Sequence, residues 1–292
     1  MLYYLESCNQ LIHERTNAMD KKLLTIQDIS CFGQCSLTVA LPVISACGIE
    51  TVILPSAVLS THTGGFKNYT FRDLTEDIPA IEKSWLNNGI RFDAFYTGYV
   101  CENQIQPILN LMDSCAADGG AIRIVDPVMA DNGRLYPGFK EDFPRQMGKL
   151  CRGADYILPN LTEAAFLLGK ECRLEGYDRK YIEMLISELH ELGAKNVILT
   201  GVSFDPDQLG CAVSDGNRIV YDFNARQKLC AHGTGDLFAS VFAGALMRGK
   251  TALQAAAAAA DMVCLAISAT PDEHWYGVCF EKVIPDLVEM LK

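Results

Sequence analysis

The chain predicts an α/β protein built as a three-layer αβα sandwich, with a mostly parallel central sheet and antiparallel strands at one edge. Two observations lead there. Near-continuous runs of Val, Ile and Leu alternate along the chain with amphipathic stretches of helical period, as in parallel sheets covered on both faces. One hairpin-like pair, "GCAVSD" and "RIVYDF" around Gly216 and Asn217, adds the antiparallel strands.

The first strand is "LLTIQDI" at 23–29, so residues 1–20 form an extension and 21–292 a single domain. Met19 is an alternative start within that extension. Strands follow in "TVILPSAVL" from Thr51, "FDAFYTGYV" from Phe92, "IRIVDPV" from Ile122, "DYILPN" from Asp155 and "NVILTGV" from Asn196. Helical patterns separate them: "DLTEDIPAIEKSWLNN", "ENQIQPILNLMDSCAA", "EAAFLLG" and "DRKYIEMLISELHELG". Two long helices, 235–248 and 251–268, then close the chain, with a last one from Phe280. No repeat, Ser/Gly linker or compositional break divides it.

Composition narrows the function. The 292 residues are 49% hydrophobic with a formal charge of -11 and a pI near 4.9, and no Lys/Arg cluster stands out in the sequence. These values argue against nucleic-acid or anionic-membrane partners. Twelve cysteines lie scattered without a CxxC pair or a zinc-finger spacing, which predicts reduced thiols in a cytoplasmic protein. The N-terminal segment lacks the basic start of a signal peptide. The apolar run 252–269 contains Gln254 and Asp261 and reads as a buried helix.

In open sheets of this kind, ligands sit at the carboxyl ends of the strands. There the chain places Asp28, "THTGG" (61–65), "TGY" (97–99), "DPVMAD" (126–131), "PNLTE" (159–163), and Thr200 with Gly201. Each has a bland reading, such as Asn160 or Thr162 capping the next helix. The stretch "HGTGDLFASVFAGALMRG" from His232 is more pointed. Gly233, Thr234 and Gly235 can aim several N–H groups one way, and the following helix adds its unpaired amides and positive dipole end. That makes an anion hole. Asp236 can simply cap or complement that helix, but small residues at Ala239, Ser240, Ala243 and Gly244 let the helix start deep in the molecule, where an unused carboxylate is costly. Beside a bound triphosphate, Asp236 is placed to take a proton from an attacking alcohol. Neither a P-loop nor a G-x-G-x-x-G after the first strand is present. Asp126 and Glu163 are candidates for Mg2+, which takes few carboxylates and several waters; Glu163 can equally be an exposed first-turn residue.

Together, "GTGD" before a buried helix, "PNLTEAAFLLG", "DPVMAD" and "THTGG" resemble the ribokinase-like superfamily and, within it, the pyridoxal kinases. The resemblance implies ATP-dependent phosphorylation of the 5'-hydroxymethyl group of pyridoxal, pyridoxine or pyridoxamine, with Mg2+, a monovalent cation such as K+, and a homodimer. It implies Asp236 as base and Gly233, Thr234 and Gly235 as anion hole, with Asp126, Asn160 and Glu163 organising Mg2+ and phosphates. Thr63 and Tyr99, with His62 beside them, resemble ring-binding residues. Asp131 to Tyr136 resemble the flap over ATP, and Thr200 and Gly201 a stretch that meets nucleotide phosphates. The chain departs at Asp28, where many pyridoxal kinases carry serine. A carboxylate there can pair with a protonated ring nitrogen or the aminomethyl group of pyridoxamine, or cap the turn into the next helix. It departs again at Leu158, where related enzymes often carry threonine. His62 and His232 are alternative proton carriers, with a structural role the simpler reading of His232; Cys230 has no assigned role. Competing readings are a hydroxymethylpyrimidine or sugar kinase of the same fold, a dinucleotide-dependent oxidoreductase, and a non-catalytic B6-binding protein.

Overall fold

The computed structural model describes residues 21–227 and 232–292, so the extension at 1–20 and Cys230 lie outside the described residues. Nine strands form one sheet in the order β11-β10-β9-β8-β5-β4-β1-β2-β3. Its centre is parallel: β1 (Lys22–Ser30), β2 (Glu50–Leu59), β4 (Ala94–Thr97), β5 (Ile122–Val125), β8 (Tyr156–Ile157) and β9 (Val197–Val202). At one edge β10 (Gln208–Ser214) and β11 (Ile219–Ala225) run antiparallel, as the hairpin pattern predicts. The opposite edge adds a short antiparallel strand, β3 (Phe71–Asp73), that the polar sequence around it did not announce.

Helices cover both faces. On one lie α1 (Leu37–Ala46), α7 (Thr234–Met247), α8 (Ala252–Ala269) and α9 (Ile284–Met290), sharing a core with Leu23, Tyr96, Ile124 and Ile198 of the sheet. On the other lie α2 (Ile78–Asn87), α3 (Ile105–Ser114), α4 (Phe143–Cys151), α5 (Leu161–Leu167) and α6 (Arg179–Leu192), packed on Leu24, Ile26, Phe95 and Val125. Successive residues of one strand thus feed opposite cores, which is why the strands carry no polar alternation.

The sequence reading assigns no helix to "LTVALPVISA", yet it forms α1. Its residues are apolar almost all round and it contains Pro42, so the usual period is blurred; it is wedged between the sheet and α7, where Gly244 leaves only enough room for Cys47 (an added Cβ would lie 2.4 Å from its sulfur). Helix α8 is long and apolar enough to cross a membrane by length and composition. Its Ala255, Ala259, Met262 and Ala266 face is nevertheless buried in the core shared with α7.

Candidate active site

The carboxyl ends of β1, β4, β5, β8 and β9 meet the N-terminus of α7. Strand β1 lies between β4 and β2, so the chain leaves it for one side of the sheet and returns on the other, and a crevice opens at such a switch point.

Gly233 is the N-cap of α7, at φ +79. A Cβ there would lie 2.0 Å from the Gln34 carbonyl oxygen, so both backbone conformation and packing require glycine. Gly235 faces open space, with nothing within 4 Å of an added Cβ. The turn is therefore clamped on one side and open on the other. Asp236 follows in the first turn of α7, and burial pushes its carboxyl up to about 6; repulsion from Asp28 adds to that, while the Ser36 backbone N–H and the Cys35 thiol counteract it.

Asp28 is 5% exposed at the end of β1. The Ser30 hydroxyl donates to its Oδ2 at 2.9 Å. Burial raises its pKa, and the hydroxyls of Ser36 and Ser30 oppose that rise. Ser36 is the N-cap of α1 but makes no side-chain cap to its own helix. Its φ of 55 and ψ of -129 are a conformation that few residues other than glycine adopt. Held there, it turns its N–H toward Asp236 and its hydroxyl toward Asp28. Sequence reasoning found no dinucleotide fingerprint in "SCFGQCS" after the first strand and gave Cys35 and Ser36 no role. The available signal was the stretch's position after a central strand.

Tyr99 is half-buried beside Phe139, with ring centroids 5.2 Å apart, and its hydroxyl pKa is raised by burial, then by Cys101 and Asp28. Thr63 lies in the loop after β2. His62, in the same loop, is 5% exposed. Gly64 N–H donates to its Nδ1 at 3.0 Å, so Nε2 carries the proton and donates to the Tyr276 carbonyl at 2.9 Å. Burial lowers its pKa, against which the Tyr276 bond acts, and His232 lowers it further. A neutral imidazole with both nitrogens engaged ties its own loop to the one that carries Tyr276, a structural setting and not that of a proton carrier. Gly64 is itself explained here: an added Cβ would lie 2.5 Å from the His232 ring. Phe66 and Trp275 pack beyond it with ring centroids 4.7 Å apart and planes tilted by 43°, and Phe32 and Trp275 are half exposed at the rim.

The other half of the crevice is built by backbone. Asn160 caps α5: its Oδ1 accepts from Glu163 N–H at 2.9 Å and its Nδ2 donates to the Ala130 carbonyl at 2.9 Å. Glu163 is 3% exposed, so it is not a solvated first-turn residue. One of its oxygens accepts from Asn160 N–H at 2.9 Å and the other from Met129 N–H at 3.1 Å. Burial pushes its carboxyl up to about 8 against those donors. Asp126 is buried at the end of β5, and burial, then Glu163 and Asp236, hold it well above the usual carboxylate range. The hairpin of β6 (Ala130–Asp131) and β7 (Arg134–Leu135) is tied down where Gly133 N–H donates to Thr162 Oγ1 at 3.1 Å. Tyr136 closes it, its hydroxyl pKa raised by burial, then by Glu163, Asp131, Asp126 and Asp236. Thr200 bridges to Asn160, and Gly201 is the bulged residue of β9 at φ +75. Leu158 is buried in the core, so its place is apolar packing.

Asp28, Asp236, Asp126 and Glu163 thus form one chain of electrostatic neighbours, and among the described residues burial, Glu163 and Asp236 are what act on Asp126. No group of three His, Cys, Asp or Glu among the described residues is close enough to cage a metal. Such a set fits Mg2+, which leaves most positions to water and phosphate.

The phosphomethylpyrimidine kinase family model matches residues 40–277. The chain belongs to that family. Among solved structures of the fold, a Bacteroides thetaiotaomicron protein assigned as a phosphomethylpyrimidine kinase, crystallised with pyridoxal, is 32% identical with a TM-score of 0.86, over 91% of this chain and 95% of that one. Pyridoxal kinase from Lactobacillus plantarum is 31% identical with a TM-score of 0.85, over 92% and 97%. Pyridoxal kinase from Dictyostelium discoideum is 27% identical over 80% of this chain and 81% of its own length. As a member of the family, the chain has the αβα sandwich that its strand pattern predicts.

Proposed function

We propose that this family member is a pyridoxal kinase, transferring the γ-phosphoryl group of ATP to the 5'-hydroxymethyl group of a B6 vitamer. The observation that carries the reading is Asp236: a carboxylate raised to about 6, in the first turn of a helix whose glycine turn is clamped behind and open in front. The two relatives that are named pyridoxal kinases, and the one crystallised with pyridoxal, support the substrate class.

In this mechanism the vitamer's hydroxyl gives its proton to the Asp236 carboxylate as its oxygen bonds to the γ-phosphorus. The bond from that phosphorus to the ADP oxygen breaks, and ADP leaves. The amides of Gly233, Thr234 and Gly235 stabilise charge on the transferred group. Mg2+ would neutralise charge between the β- and γ-phosphates. Asp126 is the residue to hold it; both oxygens of Glu163 are occupied by backbone donors, so Glu163 acts through water or as a fixed charge. Asn160 likewise serves by position, anchoring the 126–131 loop. Asp131 to Tyr136 cover the nucleotide, and Thr200 with Gly201 border its phosphates. Thr63 and Tyr99 meet the pyridine ring, whereas His62 shapes the loop that carries Thr63.

Asp28 selects among vitamers. Its carboxylate is already positioned by hydroxyl donors, and pairing with the aminomethyl group or with a protonated ring nitrogen makes a charge-assisted contact that serine cannot. The ten described cysteines are all unpaired, which fits a reducing cytoplasm. The homodimer and the monovalent cation carry over from the family and are checked by light scattering and by substitution of K+ in the assay.

The test is ATP-dependent turnover of pyridoxal, pyridoxine and pyridoxamine in parallel with hydroxymethylpyrimidine, for the intact protein and Asp236→Asn. Turnover of a vitamer, lost in a variant that still binds it, is expected. Turnover of hydroxymethylpyrimidine alone would move the chain to the other branch of its family.

A further inference from the structure

Outside the crevice, α4 and α5 leave a cleft of about 970 Å³ between them, which residues of the β6–β7 hairpin and Leu192 also line. Pro144, Phe166, Leu167 and Leu192 give it an apolar floor. Five cationic side chains line it: Arg134 on the hairpin, Arg145 and Lys149 on α4, Arg152 just after it, and Lys170 after α5; Glu141 is the one acidic residue lining it. Lys170 is engaged with Glu188 at 2.9 Å. Arg134, Arg145, Lys149 and Arg152 are in none of the ion pairs formed among the described residues.

This arrangement is unexpected on the charge of the chain. With 36 acidic and 25 basic residues, acidic partners for surface cations are plentiful. Four unpaired cations gathered round one concavity repel each other and raise the local potential, an arrangement that attracts and concentrates anions. Guanidinium groups offer forked donors matched to phosphate oxygens. An apolar floor beneath a charged rim suits a ligand with both a ring and a phosphate, and the volume falls within the range of small-molecule pockets.

We propose that this cleft is a second binding site, for a phosphorylated small molecule carrying a flat aromatic ring, and that its occupant restrains the β6–β7 hairpin through Arg134. The connection is short. Gly133, next to Arg134, is bonded to Thr162, and Thr162 precedes Glu163, whose carboxylate holds Met129 at the root of the hairpin. A phosphate that pins Arg134 on the α4 side therefore resists movement of the same hairpin over the nucleotide. The site itself stands on the cleft's own residues. The choice of pyridoxal 5'-phosphate as probe rests on the proposed reaction, whose product it would be.

The experiment is calorimetric titration of the full chain with pyridoxal 5'-phosphate while pyridoxal and a non-hydrolysable ATP analogue saturate the crevice, repeated with inorganic phosphate and on the double variant Arg145→Glu with Lys149→Glu. The expected result is one further site, weakened at least tenfold in the variant and by added salt, and taking inorganic phosphate at least tenfold more weakly than the ring-bearing ester. In turnover assays the ester should show an inhibition component not overcome by pyridoxal, absent from the variant, whose KM values stay within twofold. No binding with the crevice filled, or binding equal in the variant, overturns the site. Equal affinity for inorganic phosphate overturns the role of the apolar floor, and inhibition unchanged in the variant overturns the link to the hairpin. Because binding is read without turnover, failure of the kinase assignment would show separately in the vitamer assay.

Discussion

The two halves of the crevice hold their carboxylates by different means. On the β1 side, Asp28 and Asp236 are gripped by side chains and one strained turn: the hydroxyls of Ser30 and Ser36, the thiol of Cys35, and the Ser36 N–H at φ 55. On the β8 side, Glu163 is held by the N–H groups of Met129 and Asn160, inside a helix cap that also fixes Ala130. Backbone donors are part of the fold, so that half is a rigid frame in which altering a side chain loosens the structure. Side-chain donors can change without moving the chain, so the other half is where preference for a substrate can be tuned.

The comparison can be broken at several points. The largest effect is expected from Asp236→Asn, which removes the proposed base but no backbone contact: turnover should fall roughly 10² to 10⁴-fold with vitamer affinity largely kept, as read by steady-state kinetics and equilibrium binding. Gly233→Ala should disturb the turn that carries Asp236, because the methyl meets the Gln34 carbonyl at a positive φ. A loss of at least about 2 kcal/mol and most of the activity is expected, measured by denaturant unfolding and assay; near wild-type behaviour would mean that the turn is not clamped.

Asp28→Ser tests the tunable half. The ratio of kcat/KM for pyridoxamine over pyridoxal should drop about tenfold, the worth of one charge-assisted hydrogen bond, while stability is little changed. An unchanged ratio would remove Asp28 from vitamer selection. Asn160→Ala tests the rigid half in the opposite sense. Loss of the cap should cost about 1 to 2 kcal/mol and reduce turnover for every vitamer alike.

The smallest effect concerns protons. Burial raises Asp236 to about 6 from an ordinary 3.8, so the folded ligand-free protein holds this proton more tightly than the unfolded chain. Stability from this group is complete below the ordinary value and is lost as pH rises through about 6. Turnover runs the other way, since the base must be ionised, and should decline as pH falls through about 6. Asp28→Ser removes a repelling charge, so the acid limb should move to lower pH; a limb that stays in place would separate the two carboxylates electrically.

Much of the architecture was legible because strand and helix periods are local. The alternation of Val/Ile/Leu runs with amphipathic helices marks the central strands, and "GCAVSD" with "RIVYDF" marks the edge hairpin, all present in the sheet. Helix α1 was not, since burial against both the sheet and α7 erases the contrast that reveals a helix. In the crevice, the strand-end residues were located by position alone. Their working parts were not: Ser36 carries an ordinary residue name in an unusual conformation, and the cationic cleft is assembled from residues spread between Arg134 and Lys170.

By itself, the sequence determined the order of elements, the glycine turn before α7, and which carboxylates stand after which strands, because these depend on spacing and on the conformational limits of single residues. Only the tertiary structure decided which groups face one another. It set Asp28 against Asp236, engaged both oxygens of Glu163, and locked His62 as a neutral brace, because a proton's affinity and a donor's direction depend on neighbours brought from distant parts of the chain and on the water their packing excludes.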